Sequence, residues 1–313
     1  MRQTLCDGYL VIFALAQAVI LLMLTPLFTG ISRQIRARMH SRRGPGIWQD
    51  YRDIHKLFKR QEVAPTSSGL MFRLMPWVLI SSMLVLAMAL PLFITVSPFA
   101  GGGDLITLIY LLALFRFFFA LSGLDTGSPF AGVGASRELT LGILVEPMLL
   151  LSLLVLALIA DSTHIEMISK TLATGWNSPL TTVLALLACG FACFIEMGKI
   201  PFDVAEAEQE LQEGPLTEYS GAGLALAKLG LKQVVMAALF VALFLPFGRA
   251  QELSLACLLT SLVVTLLKVL LIFVLASIAE NTLARGRFLL IHHVTWLGFS
   301  LAALAWVFWL TGL

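Results

Sequence analysis

Apolar residues run along this chain in eight long stretches, separated by segments that hold most of the charge. A helix rises 1.5 Å per residue, so about 20 mostly apolar residues cross the hydrocarbon core of a bilayer. That template fits residues 8–31, 71–96, 105–122, 139–160, 179–198, 231–249, 253–280 and 290–311. The pattern predicts an all-α fold, a polytopic membrane helix bundle of about eight transmembrane helices in a single integral membrane domain over 1–313. The first stretch follows a segment with one Arg, carries no small-residue cleavage site and is too long for a removed signal peptide, so it is expected to stay as an anchor. Two similar halves with interrupted helices are not visible in the sequence, which argues against a transporter built from repeats.

Composition agrees with the pattern. With 58% hydrophobic and 13% charged residues and a mean hydropathy of +0.91, lipid has to be the solvent for most of the surface. A formal charge of +2 excludes a strongly polyanionic partner, so no nucleic acid is expected. The uneven placement of charge says more. Sixteen of the twenty-one Lys and Arg residues lie beside the odd-numbered loops, about 32–70, 123–138, 199–230 and 281–289. Basic loops stay in the cytoplasm, which predicts cytoplasmic placement for these four and a periplasmic position for both termini. Loop one is strongly basic and loop five strongly acidic, and topology puts both on one face, where opposite fields suit mutual packing and the docking of soluble partners.

Two of these loops carry local signals. Asp50 to Phe58 has the pattern of an amphipathic interfacial helix, with Trp48 and Tyr51 suited to the headgroup level. Lipid anchoring and attachment of a soluble subunit explain it equally well. In Glu196 to Pro215, Pro201 should end the fifth span. Asp203, three residues before Glu206, has the spacing of an N-cap with its partner, and Gly214-Pro215 is a stop signal. These signals predict a helix of about ten residues with Glu206 and Glu210 on one face, repelling each other unless a cation or a shared proton lies opposite. A solvated acidic loop is the alternative.

Ionisable residues also fall inside the apolar stretches. Arg116, Glu146 and Glu196 come out at similar depth, within roughly 10 Å of the inner face at 1.5 Å per residue. Glu280 ends the seventh span on that side, and Lys268 lies deeper, near the midplane. Intramembrane charges are usually buried in the bundle, paired, and part of ion or proton paths. Arg116 and Glu196 are near enough to the surface for snorkelling to be the competing reading.

No metal is expected in this chain. Cys189 and Cys193 share a helical face without further ligands, and His292 and His293 lie at the start of the last span rather than at mid-membrane. Together with Cys6 and Cys257 the cysteines read as small hydrophobes. Gly101-Gly102-Gly103 reads as a tight outer loop, because no strand and helix flank it as a phosphate cradle requires.

Several of these segments resemble one family. Glu196 to Gly214 with its E-M-G-K-I-P-F-D and spaced acids, T-E-Y-S-G at Thr217 to Gly221, R-R-G-P and K-L-F in loop one, and G-A-S-R-E between Ser128 and Glu146 resemble complex I subunit 1 over nearly the whole chain. Lys199 stands where that family usually has Arg, and Ile47 to Asp53 is compact where the respiratory subunit has a longer glycine-rich loop. With G-L-D-T-G-S-P-F at Gly123 to Phe130, the chain looks most like the corresponding subunit of membrane-bound group 4 [NiFe] hydrogenases of the formate hydrogenlyase type.

The resemblance implies a non-redox anchor in the bacterial inner membrane. The [NiFe] hydrogenase large and small subunits and an iron-sulfur subunit would dock on it, antiporter-like membrane subunits would sit beside it, and the Ni-Fe and iron-sulfur centres would belong to those partners. It implies that Glu146, Glu196, Asp203, Glu206, Glu208, Glu210 and Arg137 match positions that couple redox events to ion movement. Position within the apolar stretches adds Lys268 and Glu280 to the candidate path, and Arg42, Arg43, Arg137, Lys199 and Glu213 are candidates for docking and charge pairing. A quinone-site subunit of an NADH dehydrogenase and a stand-alone cation/proton antiporter remain as rivals.

Overall fold

The computed structural model describes residues 2–97, 103–176, 178–206, 208–251, 254–284 and 291–312. Its regular structure is helical, with isolated bridges at Ile94–Ala250 and Asp104–His164 and no strand among the described residues. In chain order the helices are α1 (Arg2–Met39), α2 (Gln49–Phe58), α3 (Leu70–Ala89), α4 (Leu105–Asp125), α5 (Pro129–Ala160), α6 (Ile165–Thr174), α7 (Pro179–Glu196), α8 (Glu208–Leu211), α9 (Gly221–Ala227), α10 (Leu231–Phe244), α11 (Leu255–Thr282) and α12 (Ile291–Thr311). Among the described residues eight spans are long and apolar enough to cross a membrane: α1 from Leu10, α3, α4, α5, α7, α9 with α10, α11 and α12. Each of the eight predicted stretches therefore contains a spanning helix. The chain is a multi-pass membrane protein.

Helix ends differ from the hydropathy boundaries for physical reasons. α1 continues through Arg33, Arg36 and Arg38 to Met39, because Arg is a good helix former and a cation in the last turn is favoured by the helix dipole. α5 starts at Pro129 rather than 139, with Pro at N1 after Ser128, so the expected loop 123–138 is mostly helix and carries Arg137 and Glu138 on it. Glu146 accordingly lies near the middle of α5, not seven residues from its end. The predicted loop at 281–289 and the Gly101-Gly102-Gly103 loop fall largely outside the described residues.

At the opposite end, α3 and α10 stop short of their apolar runs. Backbone leaving a helix within a membrane protein has to find its hydrogen bonds inside the fold. Gln17 Nε2 donates to the carbonyls of Ala87 at 2.7 Å and Leu90 at 2.8 Å, and Thr265 Oγ1 to Leu92 O at 3.1 Å. For α10, Ser169 Oγ donates to Ala242 O at 2.8 Å, Arg249 to the same carbonyl, and Lys268 Nζ to Leu245 O at 2.9 Å and to Phe247 O. Lys268 thus caps a helix C-terminus, where a cation is favoured. Ser169 comes from α6, a short helix that the sequence pattern did not predict.

The amphipathic helix of loop one is present as α2, tied along α1. Thr29 Oγ1 donates to Asp50 Oδ2 at 2.7 Å, Arg33 pairs with Asp50 at 2.8 Å, and Tyr51 OH donates to Met23 O at 2.5 Å. Gly30 permits this approach, since a Cβ there would lie 2.2 Å from Ile47 O.

The acidic loop departs most from expectation. The ten-residue helix is absent among the described residues: α8 covers only Glu208–Leu211. Phe202, Val204 and Ala205 are buried, so the chain dives back into the bundle instead of coiling at its surface. Gln212, Glu213 and Gly214 then take positive φ (50°, 77° and 54°), and a Cβ on Gly214 would lie 1.9 Å from Ala205 O. A satellite core of Phe72, Met75, Leu79, Phe119, Ala205, Leu216 and Tyr219 fastens the loop to α3 and α4, with Tyr219 OH donating to Phe72 O at 2.7 Å.

Candidate functional site

Between α4, α5, α7 and α10 the bundle encloses a group of charges. Arg116 of α4 donates to Glu138 at 3.2 Å and pairs with Glu146 and Glu196, while Lys232 of α10 pairs with Glu196 at 2.8 Å. Glu138 and Glu146 stand four residues to either side of Gly142, on one ridge of α5. The glycine is the notch: a Cβ there would lie 2.5 Å from Arg116 Cδ. Arg116 and Glu196 are each only 4% exposed, so neither snorkels to the surface. A planar guanidinium with five donors suits three carboxylates, of which Glu138 and Glu196 are buried and Glu146 is partly exposed.

A second group lies where α1, α7 and α11 end. Lys199 Nζ contacts Glu280 Oε2 and Ser32 Oγ at 3.2 Å each, Arg36 also pairs with Glu280, and Ser277 Oγ meets Ser32 Oγ at 2.6 Å. Burial pulls the Lys199 ammonium below its usual pKa, with Glu280 opposing the shift and Arg36 adding to it. A cavity of about 830 Å³ reaches both groups and is bounded by Arg33 and Asp50, by Lys199, Glu196 and Glu280, and by Leu79, Phe115 and Phe119.

Glu206 opens onto the same cavity. Desolvation, then the Asp203 and Glu138 carboxylates, push its carboxyl up to about 7, against the opposing Lys228. At the rim, Glu213 pairs with Lys228 at 2.7 Å and Glu210 with Arg137 at 2.6 Å.

The structure therefore gathers Glu196, Lys199, Asp203, Glu206 and Glu280 around one cavity, with Glu146 tied to its wall through Arg116 and Glu210, Glu213 and Arg137 in ion pairs beside it. Glu206 precedes α8, so it shares no helical face with Glu210. The Glu208 side chain lies outside the described residues. Lys268 is a correction to the candidate path: it sits at the far end of α10, twelve residues from Glu280 on α11, about 18 Å along the helix. Arg42 and Arg43 are exposed and make no ion pair among the described residues. Sequence reasoning missed Glu138, Lys232, Arg36 and Asp50 as site members, although the spacing Glu138-Gly142-Glu146 was there to be seen. Among the described residues no group of three or more His, Cys, Asp or Glu is arranged to hold a metal ion.

Comparison with known proteins gives full-length matches. The model of the NADH dehydrogenase family matches residues 11–311. Hydrogenase-4 component C of Escherichia coli (strain K12) is 98% identical over 315 aligned positions, covering 100% of both chains. Formate hydrogenlyase subunit 4 of the same strain is 52% identical, covering 95% of this chain and 98% of its own. The fold is shared with a chain in the structure of the membrane-bound sulfane sulfur reductase, an archaeal respiratory membrane complex, at a TM-score of 0.82 and 24% identity over 97% of this chain and 98% of that one. This chain belongs to the NADH dehydrogenase family, that of complex I subunit 1.

Proposed function

We propose that this chain is the membrane-anchor subunit of a multisubunit [NiFe] hydrogenase of the formate hydrogenlyase type, seated in a bacterial inner membrane. The names of its two close relatives support the complex, and one structural observation supports the role. An acidic loop and a basic loop frame a charged cavity whose inner wall leads to the Arg116 cluster. In this reading Arg42 and Arg43 of loop one and the Arg137, Glu210 and Glu213 rim receive the hydrogenase large and small subunits and the iron-sulfur subunit. The Ni-Fe and iron-sulfur centres lie in those partners, this chain carries no redox centre, and antiporter-like subunits adjoin it in the membrane.

The same cavity suits a coupling role. Glu206 titrates near neutral pH at its mouth, and Glu280, Glu196 and Glu146 continue inward, each held by a cation. A charge change in a docked subunit would alter proton occupancy at Glu206 and shift the ion pairs behind it. Glu196→Gln and Glu206→Gln in the intact complex, read by co-purification of soluble subunits and by hydrogen evolution, test this. Retained assembly with turnover down at least tenfold supports coupling. Lost assembly reduces the role to docking, and wild-type behaviour of both variants rejects it. The volume and apolar part of the cavity wall favour a second reading, a quinone-type amphiphile, which saturable binding of quinone analogues to the purified complex would establish.

A further inference from the structure

The inner face of α11 carries polar residues at both ends and none between. Ser261, Thr265 and Lys268 are buried toward one end, Ser277 and Glu280 toward the other, and the stretch between them buries Val269, Phe273 and Ala276. The facing helix α1 repeats the pattern, with Gln17 on the first side, Thr29 and Ser32 on the second, and Leu21 and Phe28 buried between. Thr25, also in the gap, spends its hydroxyl on Leu21 O at 2.9 Å within its own helix. Phe28 and Phe273 meet with ring centroids 6.0 Å apart, and the Lys199 ammonium rests 4.8 Å above the Phe273 ring. From Lys268 to Ser277 is about 13 Å along the helix, a thickness that a proton cannot cross without water or a titratable group.

We propose that Phe273, backed by Phe28, is an apolar septum that gives water access to the Lys199, Glu280 and Ser32 group from the acidic-loop side alone. Removing the ring joins the two polar halves. The cation over the ring holds it in place from the wet side, so the septum is fixed by the charge group it seals. The proposal deepens the reading of these charges as a protonation path, yet its test does not depend on hydrogenase turnover, so either can fail without the other.

The test uses the whole complex in membrane vesicles of both orientations, with Cys6, Cys189, Cys193 and Cys257 replaced by Ala and Ser32→Cys introduced. A small charged methanethiosulfonate reagent should modify position 32 from the acidic-loop face only. Modification at equal rates from both faces, or from neither, overturns the proposal. Adding Phe273→Ser should make the opposite face reactive and raise passive proton permeability several-fold, whereas Phe273→Leu should leave both as in the parent. An assembled Phe273→Ser complex with unchanged sidedness and permeability also overturns it. If that variant does not assemble, the sidedness measured with Phe273 intact still decides.

Discussion

Arg116 holds three carboxylates with one side chain, and the consequence of removing it is asymmetric. Arg116→Gln leaves Glu138 and Glu196 with Lys232 alone and takes from Glu146 its ion pair, and breaking a buried ion pair from one side typically costs about 3–5 kcal/mol. The variant should unfold at clearly lower temperature in detergent, and adding Glu196→Gln should recover part of the loss; an additive double variant would show that the two residues do not share one network. Gly142→Val tests the same group from its notch and should weaken it by pushing Arg116 aside. Glu206 behaves in the opposite sense. Its folded-state pKa of about 7 lies above the ordinary glutamate value of 4.5, so folding favours the protonated form, and stability falls as pH rises from about 4.5 through 7. Glu206→Gln should therefore be the more stable protein at pH 8, with the difference vanishing below about pH 4.5 in melts at stepped pH. These residues were only partly legible in the sequence. Glu196 stood out because it sits in an apolar run, whereas Glu138 and Lys232 lie at the margins of spans, where a charge looks like ordinary interfacial decoration.

Elements were legible in proportion to how local their causes are. The spans and α2 follow from apolar runs and an amphipathic repeat, which every residue in the segment supports. The acidic loop carried cap and stop signals of equal local quality, but burial of Phe202 against Phe191 and Phe194 of α7 and of Ala205 among side chains of α3 and α4 overrode them, a tertiary cause invisible at that range. The start of α3 shows the same dependence on a distant partner. No side chain at its own N-cap, Gly69, serves the first turn, and Asp125 from the end of α4 accepts from Gly69 N at 2.9 Å and Phe72 N at 3.0 Å instead. Asp125→Ala should cost about 0.5–2 kcal/mol, the usual loss of a cap, and Asp125→Asn clearly less. Equal melting temperatures for the two variants would mean that the carboxylate's acceptor role is not what fixes this helix start.

Over the whole molecule, the charged ends collect at one face. Arg36 near the end of α1 meets Glu280 near the end of α11, Lys199 just past α7 meets the same Glu280, and Lys232 at the start of α10 meets Glu196 at the end of α7. Alternating spans make these the odd-numbered loop ends, where sixteen of the twenty-one Lys and Arg residues lie. The opposite face carries fewer cations: Lys170 pairs with Glu166 within α6, and Arg249 and Lys268 turn inward onto carbonyls of α10 and its exit. Insertion retains basic short loops on the cytoplasmic side, so this asymmetry predicts a bundle with loop one inside and both termini outside. Ser41 in loop one and Thr311 at the end of α12 are exposed and give the two faces separate reporters. In a chain with its native cysteines replaced, Thr311→Cys should react with an impermeant maleimide added to intact cells, and Ser41→Cys should react only after the membrane is opened. Labelling of position 41 in intact cells, or protection of position 311, would mean that the charged cavity faces outward, and docking of the soluble hydrogenase arm at that face would then be impossible.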